Sequence, residues 1–428
     1  MKKLLGIAVL LIFTADPAWA QLATPEARSF ALGSAYTARA AGYEATFWNP
    51  ANLALATRPD WSAGANASMY FSNNALEYGQ VTALYGEYLD AADKTRLLED
   101  VRAATGGDLA NMNFDVGAQG VGVSFGRFAA GLSGIGAGSA EITPDALELL
   151  LFGNVGENGT GRDFDFSGTK ADLWSLYGGY ASYAQPFRVD ALPMANFSAG
   201  ATLRFGVARD LLRVTESRSD LVYEPLSLDV ALQKLQSSGG SAGTAIAADL
   251  GLAMEWGGRL VVGMSLTNAI QTIRWDESSF EVTSYTVAAD YENISINSTT
   301  LAYDDLDPEA RARADALLED SELPRQLRLG SFYRVSPRLD VSADYAEQIG
   351  GKLRSRWDRS LSAGAEFRPV PVIPLRAGVA TSFDQFALTA GLGLHAGPAH
   401  LDFAFGRWGM GGGDGLVSAL SVSFWPGL

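Results

Sequence analysis

Residues 360–383 read SLSAGAEFRPVPVIPLRAGVATSF. Leu361, Ala363, Ala365 and Phe367 stand opposite Ser362, Gly364 and Glu366. A proline-rich stretch, 369–374, interrupts the run, and PLRAGVATSF then repeats the scheme. A period of two puts successive side chains on opposite faces of an extended strand, here one apolar face and one polar or glycine face. The neighbouring segments share it. Leu327 and Leu329 alternate with Arg328 and Gly330; Leu339, Val341, Ala343 and Tyr345 alternate with Asp340, Ser342 and Asp344. Phe386, Leu388, Ala390, Leu392 and Leu394 line one face of QFALTAGLGLHA, and Leu401, Phe403 and Phe405 one face of AHLDFAFGRW. GLVSALSVSFW closes the chain.

Earlier segments fit the same template, with strands expected near 61–73, 108–126, 128–140, 171–186, 194–209, 241–256 and 259–270. Together these predict about 14 strands, within a range of 12–16 and even in number. Connections alternate in length. Gly126-Arg127, 186–193, Gly257-Gly258, Ser336-Pro337, 369–374 and Gly397-Pro398 are short, whereas 74–107, 141–170, 210–240 and 271–322 are long. Later connections, 350–356, a turn at Asp384 and a glycine loop at Gly409–Gly415, complete the second set. The expected fold is all-β: a transmembrane antiparallel β-barrel with short turns on one side and long loops on the other.

Composition supports this. The chain has 428 residues, 47 glycines, 11% aromatic and 19% charged residues, and no cysteine. Lys2 and Lys3, the apolar run Leu4–Phe13 and Ala18-Trp19-Ala20 form a cleavable signal peptide over 1–20. Its ten-residue apolar run is too short for a helical span, which needs about 20 residues. Removing 1–20 takes out two lysines and Asp16, leaving 30 basic and 47 acidic residues and a net charge of −17. Nucleic-acid binding, which depends on basic surfaces, is not expected. Without thiols, the exported chain must be held by packing and hydrogen bonding.

Three long loops carry helix signals. Thr143-Pro144-Asp145 and Asp307-Pro308-Glu309 each offer a capping residue, proline at the first helical position and an early acid. Leu97, Leu98 and Val101 share a face before Gly106-Gly107. Short helices over the barrel mouth are expected. The 271–322 loop is strongly acidic, as solvation or divalent cations at a lipopolysaccharide surface would suit.

The segment FALGSAYTARAAGYEATFWNPANLAL (Phe30–Leu55) resembles the opening of FadL-type outer-membrane transporters of hydrophobic compounds. The matching residues are Gly33, Ala35, Ala38, Ala45, Trp48, Asn49, Pro50 and Ala51. YLDAADKTRLLEDV, ALELLLFGN and the 359–383 stretch are similar to a large, mostly uncharacterised branch of bacterial outer-membrane proteins. The resemblance implies a hatch over 21–55 folded inside a barrel of 56–428, an outer-membrane location, and a gate at Trp48, Asn49, Pro50, Ala51 and Leu53. It also implies passage of small hydrophobic molecules, with no covalent chemistry and no cofactor. The alternative is a non-transporting, secretion-accessory platform for a periplasmic or surface protein. Lipid and lipopolysaccharide are the expected surroundings. The chain departs from common barrels in ending Trp425-Pro-Gly-Leu rather than on an aromatic residue.

Strand parity places Arg328, Asp340, Asp344, Glu366, Arg368, Arg376, His395, His400, Asp402 and Arg407 on the lumen side. His395 and His400 face each other across Gly397-Pro398, with Asp402 beside them. Such a trio suits several metals, but polar lumen filling is the expected role and no metal is assigned. The other charges are expected to pair across strands and hold the plug. Trp174, Trp256, Trp357, Trp408 and Trp425 fall near strand ends, where an interfacial girdle would lie.

Overall fold

A computed structural model describes residues 26–75, 89–153, 156–160, 162–222, 227–237, 241–289, 294–319, 321–353, 359–382, 386–408 and 415–425. The expected signal peptide, Trp357, the Trp408 side chain, the turn at Asp384 and residues 409–414 of the glycine loop lie outside the described residues. Fourteen antiparallel strands close into a barrel. They are β1 (Trp61–Asn73), β2 (Ala110–Phe125), β3 (Phe128–Ile142), β4 (Lys170–Phe187), β5 (Ala195–Val222), β6 (Gly243–Trp256) and β7 (Leu260–Trp275). The second half holds β8 (Arg325–Ser336), β9 (Leu339–Gly350), β10 (Arg359–Val370), β11 (Ile373–Thr381), β12 (Phe386–Ala396), β13 (Ala399–Trp408) and β14 (Gly415–Phe424). Each pairs with the next, and β14 returns to β1 through Ala63↔Phe424 to Ser72↔Gly415.

The sides of the wall follow the alternation. Leu250, Leu252, Leu392, Phe403 and Phe405 are exposed, whereas Thr202, Asp249, Glu366, Arg376, Asp402 and Ser421 are buried. That is the reverse of a water-soluble domain and fits a lipid-facing exterior. Exposed aromatics gather at the short-turn rim: Trp61, Phe125, Phe128, Tyr183, Trp256 and Phe367. This girdle contains Trp256, as expected, but not Trp174 or Trp425. Trp174 is buried in an apolar cluster at the long-loop end and Trp425 packs inside the barrel. Arg407 is also corrected. It shares the exposed parity of Leu401, Phe403 and Phe405 and does not face the lumen.

The long loops are more ordered than the sequence suggests. β5 continues past its expected end near 209 to Val222 and pairs with Ser227–Ser237, which pairs with Phe280–Ala289, which pairs with Ile294–Ala302. The expected helices form at Ala91–Thr105, Pro144–Phe152 and Pro308–Glu319. Asp90 and Asp93 make a capping box, and the Thr143 hydroxyl accepts from the Ala146 amide at 3.0 Å. Glu148, buried, is held by Arg162 and Arg102, which ties the first two helices to each other and to the chain that follows the second.

Placing a charge on the lipid face tests the orientation of the wall. Leu392→Arg, at mid-strand and facing out, should lower barrel stability by about 2–4 kcal/mol. Denaturant unfolding in lipid should read this as a lower midpoint.

Candidate functional site

Residues 26–55 fold as short helical turns, Ala27–Ala31, Gly42–Glu44, Ala45–Trp48 and Pro50–Ala54, packed against lumen-facing side chains. Alanine, glycine and serine dominate the segment, so its backbone lies close to the wall. The wall answers with glycine. A Cβ on Gly251 would sit 2.1 Å from Asn49 Oδ1, and one on Gly200 2.5 Å from the Ala51 nitrogen. No larger residue fits either position without moving the segment.

The Asn-Pro-Ala turn is fastened at both ends. Asn49 Oδ1 accepts from the Ala51 amide at 3.1 Å, and Asn49 Nδ2 donates to the Leu252 carbonyl of β6 at 2.9 Å. Pro50 occupies the first position of the helical turn, where its missing N–H is no loss. Asn52 Nδ2 donates to the carbonyls of Thr37 and Ala40 at 3.0 and 2.8 Å. Trp48 packs among Leu32, Tyr36, Phe47 and Tyr180, and Leu53 among Ala45, Ala54, Ala129 and Ala184.

Of the expected lumen residues, Asp340, Glu366, Arg376, His395, His400 and Asp402 come together, and Arg28 and Arg39 of the segment join them. Arg376 donates to Asp402 at 2.6 Å and to Glu366 at 2.5 Å. Arg39 reaches Glu366 at 2.8 Å and Asp340 at 3.3 Å, with Arg368 also on both acids. Arg28 donates Nε to Asp402 at 2.8 Å, and its Nη2 lies 3.0 Å from His400 Nδ1. His395 and His400 stack at 3.9 Å, with His395 Nε2 3.1 Å from Asp402. The Asp402 carboxylate is thus filled by two guanidinium groups and an imidazole. Among the described residues no group of three His, Asp or Glu is arranged to hold a metal ion.

Two expected residues act elsewhere. Asp344 Oδ2 accepts from the amides of Tyr36 and Thr37 at 3.0 and 2.7 Å. The Arg328 guanidinium lies 4.4 Å from the Trp48 ring centre, placing an expected lumen charge on an expected gate residue. Arg28, Arg39 and Glu44 were not singled out from sequence. Charge counting gave no signal, since the expected lumen acids Asp340, Asp344, Glu366 and Asp402 are matched by Arg328, Arg368, Arg376 and Arg407.

Within the segment, Glu26 and Glu44 are fully buried around Arg28, with Glu44 3.9 Å from it and accepting from the Tyr36 hydroxyl at 2.6 Å. Neither Glu26 carboxyl oxygen has a hydrogen-bond partner among the described residues. Burial, then the neighbouring Glu44 charge, pushes the Glu26 carboxyl well above the usual carboxylate range.

A second feature lies in the wall. A cavity of about 30 Å³ is lined by Ile135, Leu176, Arg204 and Leu323 of the lumen side, together with Gly178, Gly179, Phe205 and Gly206 of β4 and β5. Two irregularities flank it. β4 and β5 lose register between Ser175 and Leu176; Asn268 on β7 adopts φ 53° opposite Asp249, which accepts from the Asn268 amide at 2.8 Å. At Gly178, paired with Gly206, neither strand carries a side chain. Ile135, Leu176 and Leu323 also belong to or abut the apolar cluster of Trp174, Phe280, Tyr303 and Leu318 at the long-loop end. Below, Arg204 donates to Asp249 at 2.7 Å and lies 4.8 Å from the Phe47 ring centre.

Removing Arg376 leaves Asp402 and Glu366 each short of a partner. Arg376→Met should therefore lower stability by about 3–5 kcal/mol, seen as a lower unfolding midpoint. Glu26→Gln should do the opposite. The folded chain holds a proton on Glu26 that the unfolded chain releases, so stability falls as pH rises from the ordinary carboxylate range toward the raised value. The variant should remove that slope, and its advantage in thermal scans should be larger at pH 8 than at pH 5.

No protein-family model and no curated protein matches the sequence. Solved structures do match in fold. The Ralstonia pickettii toluene transporter TbuX is 15% identical, with a TM-score of 0.50, over 95% of this chain and 99% of that one. The Pseudomonas putida toluene transporter TodX is 13% identical, with a TM-score of 0.50, over 96% and 100%. With a closed wall of fourteen strands around a buried N-terminal segment, the chain has the fold of the FadL-type outer-membrane barrels.

Proposed function

We propose that this barrel admits small hydrophobic molecules across an outer membrane, and that they leave sideways through the wall. The observation that carries this reading is the cavity beside the Gly178–Gly206 crossing, where the lumen-side Ile135, Leu176 and Leu323 meet the wall residues Gly179 and Phe205. In this route a ligand enters through the apolar cluster at the long-loop end, passes Leu323 and Leu176, and partitions into lipid past the glycine crossing. The N-terminal segment beneath is the floor, and its Asn49–Ala51 turn keeps Phe47 under Arg204. The toluene transporters that share the fold support the substrate class. The proposed passage involves no covalent step.

A cavity of about 30 Å³ holds about one water, so Leu176 and Leu323 must swing aside for any ligand. Their size then controls the rate. A second reading, a platform for a protein partner, is favoured by the accessory strands, where residues 297–300 are exposed. Co-purification of a stoichiometric partner from native membranes, together with background uptake, would select it.

Uptake of a fluorescent hydrophobic probe into proteoliposomes tests the route. Leu323→Ala should raise the rate several-fold. Gly179→Leu should lower it toward background, because a Cβ at Gly179 meets only ordinary contacts at 3.7 Å and the longer side chain fills the exit without breaking the strand. Gly120→Leu, where a Cβ meets nothing within 4 Å, is the control. Unchanged uptake in both cavity variants would remove the sideways route.

A further inference from the structure

We propose that the N-terminal segment has a second function: it is an internal clasp that holds the first and last strands of the barrel together. This does not rest on the transport reading, since it concerns the integrity of the wall and not what crosses it.

The β1–β14 pair joins parts of the chain as distant as Ala63 and Phe424. Closing so long a loop carries the largest entropic cost in the barrel, and non-local pairings of this kind form late. The lumen faces of the two strands offer each other little. Ser62, Gly64, Asn66 and Ser68 line β1, and Ala419, Ser421 and Ser423 line β14. The N-terminal segment supplies what these small side chains lack, and it does so on both sides of the seam.

On β14, the Ala27 amide donates to Ser421 Oγ at 2.8 Å and Arg28 Nη2 to Ser423 Oγ at 3.0 Å. Arg28 also lies 4.6 Å from the ring centre of Trp425, the residue that follows the strand. On β1, the Tyr43 amide donates to Ser62 Oγ at 2.8 Å, and that hydroxyl lies 2.7 Å from Ser124 Oγ on β2. The Tyr43 ring covers Gly64, where a Cβ would come within 2.3 Å of its hydroxyl, and its centre is 6.2 Å from that of Trp425. Tyr43 therefore spans the seam itself. Higher up, one apolar cluster holds Ala27 and Phe30 of the segment with Tyr70 of β1 and Ala419 of β14. Hydrogen bonds, a cation–π contact and apolar burial thus cross the same junction at two heights.

Trp425 has its place in this scheme. Its indole donates to Ser423 Oγ at 2.8 Å, its amide to the Pro398 carbonyl at 2.8 Å, and its ring is buried. The last aromatic residue of the barrel is turned inward, under Arg28.

The chain has no cysteine, so a bridge can be introduced at one chosen pair. Ala67→Cys with Leu420→Cys, a facing lipid-side pair on β1 and β14, bridges the seam. Ala365→Cys with Ala377→Cys, on β10 and β11, is the control bridge. The readout is the rate at which purified barrels in SDS lose their compact, fast-migrating form at fixed temperature. Deleting residues 21–55, or combining Phe30→Ala with Tyr43→Ala, should speed opening at least about tenfold, because contacts formed late in folding act on the unfolding rate. A short thiol cross-linker at the seam should restore slow opening, and the control bridge should not. Unchanged opening in these variants overturns the proposal, as does equal rescue by both bridges. Should the deletion fail to yield compact barrels even when bridged at the seam, the paired alanine variant carries the same comparison. Uptake is scored separately, so a failed clasp and a failed transport route are told apart.

Discussion

Asp402 is fully buried in the lumen wall, and a buried carboxylate is tolerable only where cations and hydrogen-bond donors surround it. It receives Arg376 from its own wall and Arg28 from the N-terminal segment, at 2.6 and 2.8 Å. Arg376 in turn holds Glu366, which holds Arg39, again from the segment. The barrel and the segment are therefore electrostatically incomplete without each other. A lumen emptied of the segment would leave Asp402, Glu366 and Asp340 short of Arg28 and Arg39, and a segment outside the lumen would leave those arginines without their acids. The insertion is what makes this distribution of charge a stable one.

The wall was legible in the sequence because a barrel in lipid enforces alternation along its strands, and the segments 361–367, 375–381 and 386–394 show it on either side of their turns. Loop helices were legible too, since Thr143-Pro144-Asp145 and the run before Gly106 encode their own ends. What alternation does not encode is what fills the interior. Parity named Asp340, Glu366, Arg376 and Asp402 as lumen residues but was silent on Arg28 and Arg39, which lie in a segment with no period. Trp425 was placed in the girdle because strand ends usually face an interface, yet a guanidinium and two neighbouring rings draw it inward. The strands beyond Arg209 escaped notice for a related reason. Outside the lipid they need no continuous apolar face, so the signal that marks the other strands is missing from them.

The abundance of glycine also has a more specific meaning than strand curvature. Where the plug crosses Gly200, Gly251, Gly263 and Gly330, its backbone approaches the wall so closely that Cβ atoms would collide with Asn49, Ala51 or Thr37. At Gly178 and Gly206 the close neighbours are different: a Cβ on Gly178 would meet the Phe205 carbonyl at 2.0 Å, and one on Gly206 would meet Leu176 at 2.9 Å. Below, glycine admits residues 26–55; above, it admits the neighbouring strand and the Leu176 side chain, beside the small cavity.

This difference bears on the choice between a gate and a stopper. Moving the segment out of the lumen would break the buried pairs of Arg28 and Arg39, at about 3–5 kcal/mol for each uncompensated charge. It would also free the Asn49 and Asp344 hydrogen bonds and part both sides of the β1–β14 seam. Turning Leu176 and Leu323 away from the wall cavity costs about 1 kcal/mol each in rotamer strain, with the packing each gives up in the apolar cluster added to it. A difference of several kcal/mol is a factor of about 10³ or more in the population of the open state. In the proposed route the apolar side chains above are therefore the moving parts. The Trp48-Asn49-Pro50-Ala51 turn stays in place as the fixed floor they move against, and the segment's remaining contribution is to keep the barrel shut.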